Sequence, residues 1–125
     1  MSRPQLIPGP DHPITVEPAS VRVVVRAGEH VVADTTDALA LQESTYPVVY
    51  YVPPADVDQS LLRRTEHGTY CPYKGDASYY SVVTPDATIE NAVWSYEEPY
   101  PAVAPIEKRV AFYTDRLEVT VVSAS

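Results

Sequence analysis

Thr69-Tyr70-Cys71-Pro72-Tyr73-Lys74-Gly75-Asp76-Ala77-Ser78-Tyr79-Tyr80-Ser81-Val82 is the stretch on which the fold turns. Residues 69–73 and 77–84 are rich in the β-branched and aromatic types that suit a pleated, half-buried surface, and Gly75 permits a turn between them. The segment therefore reads as two strands joined tightly. Period two places Thr69, Cys71 and Tyr73 on one face and Tyr70 on the other, while Ser78, Tyr79, Tyr80 and Ser81 distribute hydroxyls over both faces of the second strand.

Moving outward, the same kind of pattern recurs. Val21-Arg22-Val23-Val24-Val25-Arg26 ends at Ala27-Gly28-Glu29 and returns through His30-Val31-Val32-Ala33-Asp34, which is a hairpin. Further strand candidates are residues 38–43, 48–53, 92–96, 110–113 and 117–122, the last two joined by a turn at Thr114-Asp115-Arg116. Residues 56–64 read as the one short helix: prolines precede it, acids sit in its first turn, Val57, Leu61 and Leu62 recur at helical spacing, and Arg63 and Arg64 close it. Pro4, Pro8, Pro10, Pro13 and Pro18 mark residues 1–20 as an extended arm, so the expected organisation is that arm followed by a single mainly β domain over 21–125.

Composition limits the function classes. The chain has 125 residues, 45% hydrophobic and 21% charged, as one globular core requires. Its formal charge of -8 removes the electrostatic attraction that dominates nucleic-acid binding, so nucleic acid is not an expected partner. No apolar run approaches the roughly 18 residues of a membrane span. One cysteine cannot form an internal disulfide, and the proline-broken N-terminus has no signal-peptide core; a reducing, cytoplasmic location is expected. Aromatic usage is uneven, with ten tyrosines to one phenylalanine and one tryptophan, so nearly every large ring available to the core carries a hydroxyl. Such rings either keep their tips in water at the core margin or converge on a polar cavity.

The candidate chemistry lies close to the opening stretch. Leu39 and Leu41 share a face with Glu43, so inward leucines imply an inward carboxylate, which must be paired, hydrogen-bonded or protonated; the alternative is that Glu43 ends its strand in solvent. Cys71, Tyr73 and Lys74 put a thiol, a phenol and an ammonium within one turn. An approach of Lys74 to Cys71 would favour the thiolate, whereas a cysteine without an assignable base is otherwise a small buried hydrophobe. Glu43, Cys71, Lys74 and Tyr80 are the candidates for acid-base or nucleophilic work. Tyr51, Tyr73, Tyr79, Trp94 and Tyr96 are candidates to line a ligand site, and Lys74 with Arg22 would favour an anionic or carbonyl-bearing molecule.

The Thr69–Ser81 segment resembles the Thr-x-Cys-Pro-Tyr-Lys-Gly-x-Ala-x-Tyr-Tyr-Ser signature of the bacterial and fungal family called domain of unknown function 427. Further matches are Val32-Ala33-Asp34-Thr35, Glu43, Tyr50-Tyr51-Val52-Pro53, Asp56-Val57, Ala92-Val93-Trp94-Ser95-Tyr96 with Pro99, and Val110-Ala111-Phe112-Tyr113. The resemblance implies bent antiparallel sheets of Mss4-like or β-tent architecture with one short helix. A nucleotidyltransferase label attached to the family implies metal-bound triphosphate chemistry. This chain has no Gly-Ser pair, however, and Asp56 and Asp58 open a predicted helix on which they would point about 200° apart. Other β-tent proteins hold zinc between paired Cys-x-x-Cys knuckles; with Cys71 alone and His12, His30 and His67 on separate loops, no metal and no cofactor is expected. The leading expectation is a binder of a small polar or anionic molecule, with or without modest acid-base catalysis. The alternatives are an interaction module using a tyrosine-rich surface or an open strand edge, which would also allow a homodimer, and a nucleotidyltransferase-like activity.

Overall fold

The computed structural model describes residues 4–123. Among them ten strands form three antiparallel sheets, joined by short turns and 3-10 segments. β1 (Ile14–Pro18), β4 (Leu39–Glu43) and β5 (Val49–Tyr51) make one sheet in the order β1-β4-β5. β2 (Val21–Ala27), β3 (His30–Thr35) and β10 (Glu118–Ser123) make a second in the order β10-β2-β3. β6 (Leu62–Cys71), β7 (Gly75–Val83), β8 (Thr88–Ser95) and β9 (Val110–Phe112) make the third, in sequence order.

Alternation along the four-stranded sheet divides the interior in two. Val82, Val93, Val110 and Phe112 face a core shared with Val23, Val25, Val32 and Ala33 of the β2-β3 hairpin. Ala77, Tyr79, Trp94 and Ala111 face the other way, against Leu41 and Tyr51 of the β1-β4-β5 sheet and against Val103 and Ile106 of the 3-10 segment Pro101–Ile106. The first core is almost entirely aliphatic. The second contains the chain's buried phenols, and the candidate chemistry gathers there.

Two sequence-based expectations are corrected. No α-helix covers residues 56–64. Pro54–Asp56 and Gln59–Leu61 are single 3-10 turns, the second closed by the Asp58 side chain accepting from Ser60 N–H, and Leu62 already begins β6. The apolar spacing resembles a helix, but Leu62, Arg63 and Arg64 pair with Val82, Ser81 and Tyr80, so an adjacent strand captures the segment before a second helical turn can form. Second, Ile14–Pro18 is a strand within the region read as an arm, paired with β4 from Ile14↔Glu43 to Pro18↔Leu39. The turn at 114–116 joins β9 to β10 and carries the chain from one sheet to another: β9 pairs with β8, whereas β10 pairs with β2. Among the described residues no helix is long and apolar enough to cross a membrane.

Candidate functional site

The turn between β6 and β7 is built by its sequence. Lys74 N–H donates to Cys71 C=O at 3.2 Å, and Gly75 adopts a φ of +108° that a side chain rarely tolerates. A Cβ there would make an ordinary contact of 3.4 Å with the Glu98 carbonyl oxygen, so the positive φ is what calls for glycine; the 98–100 loop closes over the turn, where Tyr100 N–H donates to Lys74 C=O at 3.0 Å. This fixes the direction of Lys74. Its Nζ donates to Glu43 Oε1 at 2.5 Å and lies 5.8 Å from the Tyr96 ring centroid.

Glu43 does follow Leu39 and Leu41 inward, and it is paired. Its second oxygen, Oε2, is 2.8 Å from His12 Nε2, and the His12 ring stacks on Tyr73 at 4.2 Å between centroids. The side chains of Lys74 and Glu43 are only 13% and 15% exposed. Burial raises the carboxyl's pKa, but the hydrogen bonds and charges of Lys74 and His12 oppose it and win, holding Glu43 below the usual carboxylate value. The result is a carboxylate clamped between two nitrogen donors. His12 is the member that sequence reasoning missed: it sits 31 residues from Glu43 in a proline-rich segment without periodicity, and only the β1–β4 pairing brings that segment to the end of β4.

Beneath this clamp lies a layer of rings. Trp94 Nε1–H donates to the Tyr51 hydroxyl at 3.3 Å; Thr69 and Tyr79 hydroxyls hydrogen-bond at 3.0 Å; Tyr79 and Tyr113 hydroxyls are 3.5 Å apart. Burial is the main cause that raises the pKa of Tyr51 and Tyr96 far above that of a free phenol. Tyr113 is pushed up to about 12, again mainly by burial and by its hydrogen bond with Tyr79. These upward shifts keep the hydroxyls of Tyr51, Tyr96 and Tyr113 protonated near neutral pH. Cys71 is a free thiol, half-buried against the same layer.

The structure thus brings together Glu43, Lys74, Tyr73, Tyr51, Tyr79, Trp94, Tyr96 and Cys71 on one side of the four-stranded sheet. It does not bring Tyr80 or Arg22 there. Tyr80 points to the opposite face of β7 from Tyr79 and packs on the aliphatic core. Arg22 is exposed on the outer face of β2, where its Nε and Nη2 donate to Asp34 at 2.9 and 2.7 Å. The two carboxylates Asp56 and Asp58 are used locally: Asp56 accepts from Thr35 Oγ1 at 2.7 Å and Asp58 from Ser60 Oγ at 2.6 Å. Among the described residues no three His, Cys, Asp or Glu side chains gather as metal ligands.

The ring layer ends in a hollow. A cavity of about 310 Å³ opens between the β4–β5 loop and the turn after β9, with Trp94 and Tyr113 on its wall. Their rings meet at 51° with centroids 4.6 Å apart. Tyr46 and Val48 border the opening from the loop and are 60% and 39% exposed. Sequence patterning singles out Trp94 as a lining residue; Tyr113 reads only as the end of the 110–113 strand, and Tyr46, within a loop, is not singled out.

Three antiparallel sheets around a phenol-rich second core, with a clamped carboxylate at its margin, define a small β domain with an aromatic ligand-sized hollow. The chain belongs to the family described as domain of unknown function (DUF427), whose model matches residues 15–123. No curated protein matches the chain.

Proposed function

We propose that this chain is a small-molecule-binding domain whose ligand lies in the hollow against Trp94 and Tyr113. The single observation that supports this reading is the cavity itself: about 310 Å³, walled by rings and valines. That is within the range of about 300–1,000 Å³ typical of ligand sites, which are mostly apolar with a few placed polar groups. The Glu43–Lys74–His12 clamp acts in this reading as the brace of the adjoining loop. Tyr46 N–H donates to Glu43 C=O at 2.9 Å, and Ser44 N–H to Pro13 C=O at 2.8 Å, so the loop that carries Tyr46 and Val48 springs from the clamped residue. Any acid-base chemistry would fall to Glu43 and Lys74, and it would require their ion pair to open. The free Cys71 suits a reducing compartment.

A thermal-shift screen of metabolites tests the reading, because a ligand that binds only the folded state raises its melting temperature. Val48→Phe should narrow the hollow and abolish the shift produced by any hit. A hit whose shift persists in that variant would place the ligand elsewhere.

One observation favours a second reading, an interaction module. β10 is an edge strand, and its Val121 and Val122 are 38% and 49% exposed. Such an edge can accept a further strand from another chain, including a second copy. Sedimentation over a wide concentration range checks it: a species that stays monomeric while Val121→Lys has no effect would dispose of the self-pairing form.

A further inference from the structure

Resting on the small-molecule-binding reading, the geometry points to an alkylated ammonium as the group that the hollow receives. Five rings contribute to its wall, those of Tyr46, Tyr50, Trp94, Phe112 and Tyr113, and the rest is largely valine and proline. Among the described residues the sole formally charged side chain in that wall is Asp115, an acid exposed at the turn after β9. No lysine, arginine or histidine lines it. The whole chain carries a formal charge of -8, which attracts cations at long range.

Three ligand classes can be weighed against this wall. An anion would face Asp115 and the negative faces of the rings, and Lys74, the cation that an anion would seek, already holds Glu43 at 2.5 Å. A primary ammonium would need all three N–H donors paired, by Asp115 and by the hydroxyls of Tyr46, Tyr50, Tyr113 or Thr114, in a wall that is otherwise ring, valine and proline. A quaternary or highly methylated ammonium has no N–H to satisfy; its methyl groups pack on valine and proline while its charge is drawn to ring faces and to a nearby carboxylate. Trp94 and Tyr113, tilted at 51° with centroids 4.6 Å apart, both line the hollow and offer such a group two adjoining rings. Tyr113 already has one cation beside it, the Arg116 guanidinium 5.7 Å from its ring centroid. Arg116 is itself committed to the Glu90 carbonyl oxygen, to which NH1 donates at 2.6 Å, and it does not line the hollow.

The chain's one tryptophan is in the wall, so its fluorescence reports the site directly. Choline is titrated against its neutral isostere 3,3-dimethylbutan-1-ol and against acetate. Choline should change Trp94 emission saturably, with the isostere about tenfold weaker and acetate without effect. Asp115→Asn should weaken choline about threefold or more and leave the isostere unchanged, while Arg116→Gln should leave choline binding equal or tighter. Tyr46→Ala removes an exposed ring without touching the core and should also weaken choline. Equal affinity for choline and its isostere would overturn the ammonium inference and leave the hollow as a ligand site. Saturable binding of acetate that Arg116→Gln abolishes would overturn it in favour of an anion. Silence of Trp94 towards both choline and the isostere would overturn the inference, and the metabolite screen with Val48→Phe then decides the binding reading separately.

Discussion

Lys74 Nζ reaches Glu43 Oε1 at 2.5 Å although 31 positions separate the two in sequence, and the pair joins the β6–β7 turn to the end of β4. Both side chains are mostly removed from water, so neither charge is well solvated without the other. Removing one partner strands the other, which costs about 3–5 kcal/mol at fully buried sites; with the residual exposure of this pair, about 2–3 kcal/mol is expected for Glu43→Gln or Lys74→Met. The double variant Glu43→Gln/Lys74→Met should lose less than the sum of the two, since the second change leaves no orphan charge. Urea unfolding of the four proteins measures this, and strict additivity would show that the pair is not coupled.

The same clamp predicts a pH dependence. Glu43 is held below its ordinary value of 4.5 in the folded chain, so its contribution is present above that value and is lost as pH falls through the lower folded one. The melting temperature of the wild type should therefore drop more steeply between about pH 5 and pH 3 than that of Glu43→Gln. Parallel slopes would mean that Glu43 gains nothing from its two donors.

Much of this was legible in the sequence, and the losses have physical causes. Strand period two gave the inward direction of Glu43 from Leu39 and Leu41, and the types around Gly75 gave the β6–β7 hairpin. Local patterns could not say which strands become neighbours across long separations. His12 reaches Glu43 only through the pairing of Ile14 with Glu43, and Tyr113 reaches Trp94 only because Trp94 pairs with Ala111 two residues earlier in the chain. Alternation put Tyr79 and Tyr80 on opposite faces of one strand, but it could not say which face meets the phenol-rich core, and Tyr80, the acid-base candidate, lies on the aliphatic side. The helix expected at 56–64 failed because Val57, Leu61 and Leu62 satisfy a helical spacing while Leu62 is also the first rung of a ladder with Val82; tertiary pairing outweighs so short a local preference.

Gly75 should resist substitution. At φ +108° an alanine is strained by its backbone, while its methyl would make only ordinary contact with the Glu98 carbonyl oxygen at 3.4 Å. Gly75→Ala is expected to cost about 1–2 kcal/mol, opposite in sign to the usual stabilising effect of this change where alanine can adopt the backbone conformation. Urea unfolding reads the loss. A neutral or stabilising result would show that the turn relaxes into another conformation.

Tyr51 tests the ring layer. Its hydroxyl accepts from Trp94 Nε1–H at 3.3 Å, and the residue is 1% exposed. Tyr51→Phe leaves the indole N–H without that acceptor, at a cost of about 1–2 kcal/mol, and should move Trp94 emission without changing the sheet content seen by far-ultraviolet circular dichroism. Unchanged emission would mean that the Tyr51 hydroxyl is not a partner that the indole senses.

Asp56 and Asp58 separate a metal-dependent transferase from a binder that uses no metal. Thr35 is 2% exposed, and its hydroxyl donates to Asp56 at 2.7 Å while accepting from Asp37 N–H at 2.9 Å. Asp56→Ala therefore removes the acceptor of a buried hydroxyl and should cost about 1–2 kcal/mol. Asp58→Ala, which removes the cap of an exposed 3-10 turn, should cost about 1 kcal/mol. If the two carboxylates serve only these local bonds, magnesium with a nucleoside triphosphate leaves the melting temperature of the wild type unchanged, and the variants fall by the same amounts with and without them. Two carboxylates that share a divalent ion would behave otherwise, since binding to the folded state must raise its stability by mass action. A magnesium-dependent rise in the wild type that both variants abolish would reassign the pair from bracing the β3 end to holding a metal-bound phosphate.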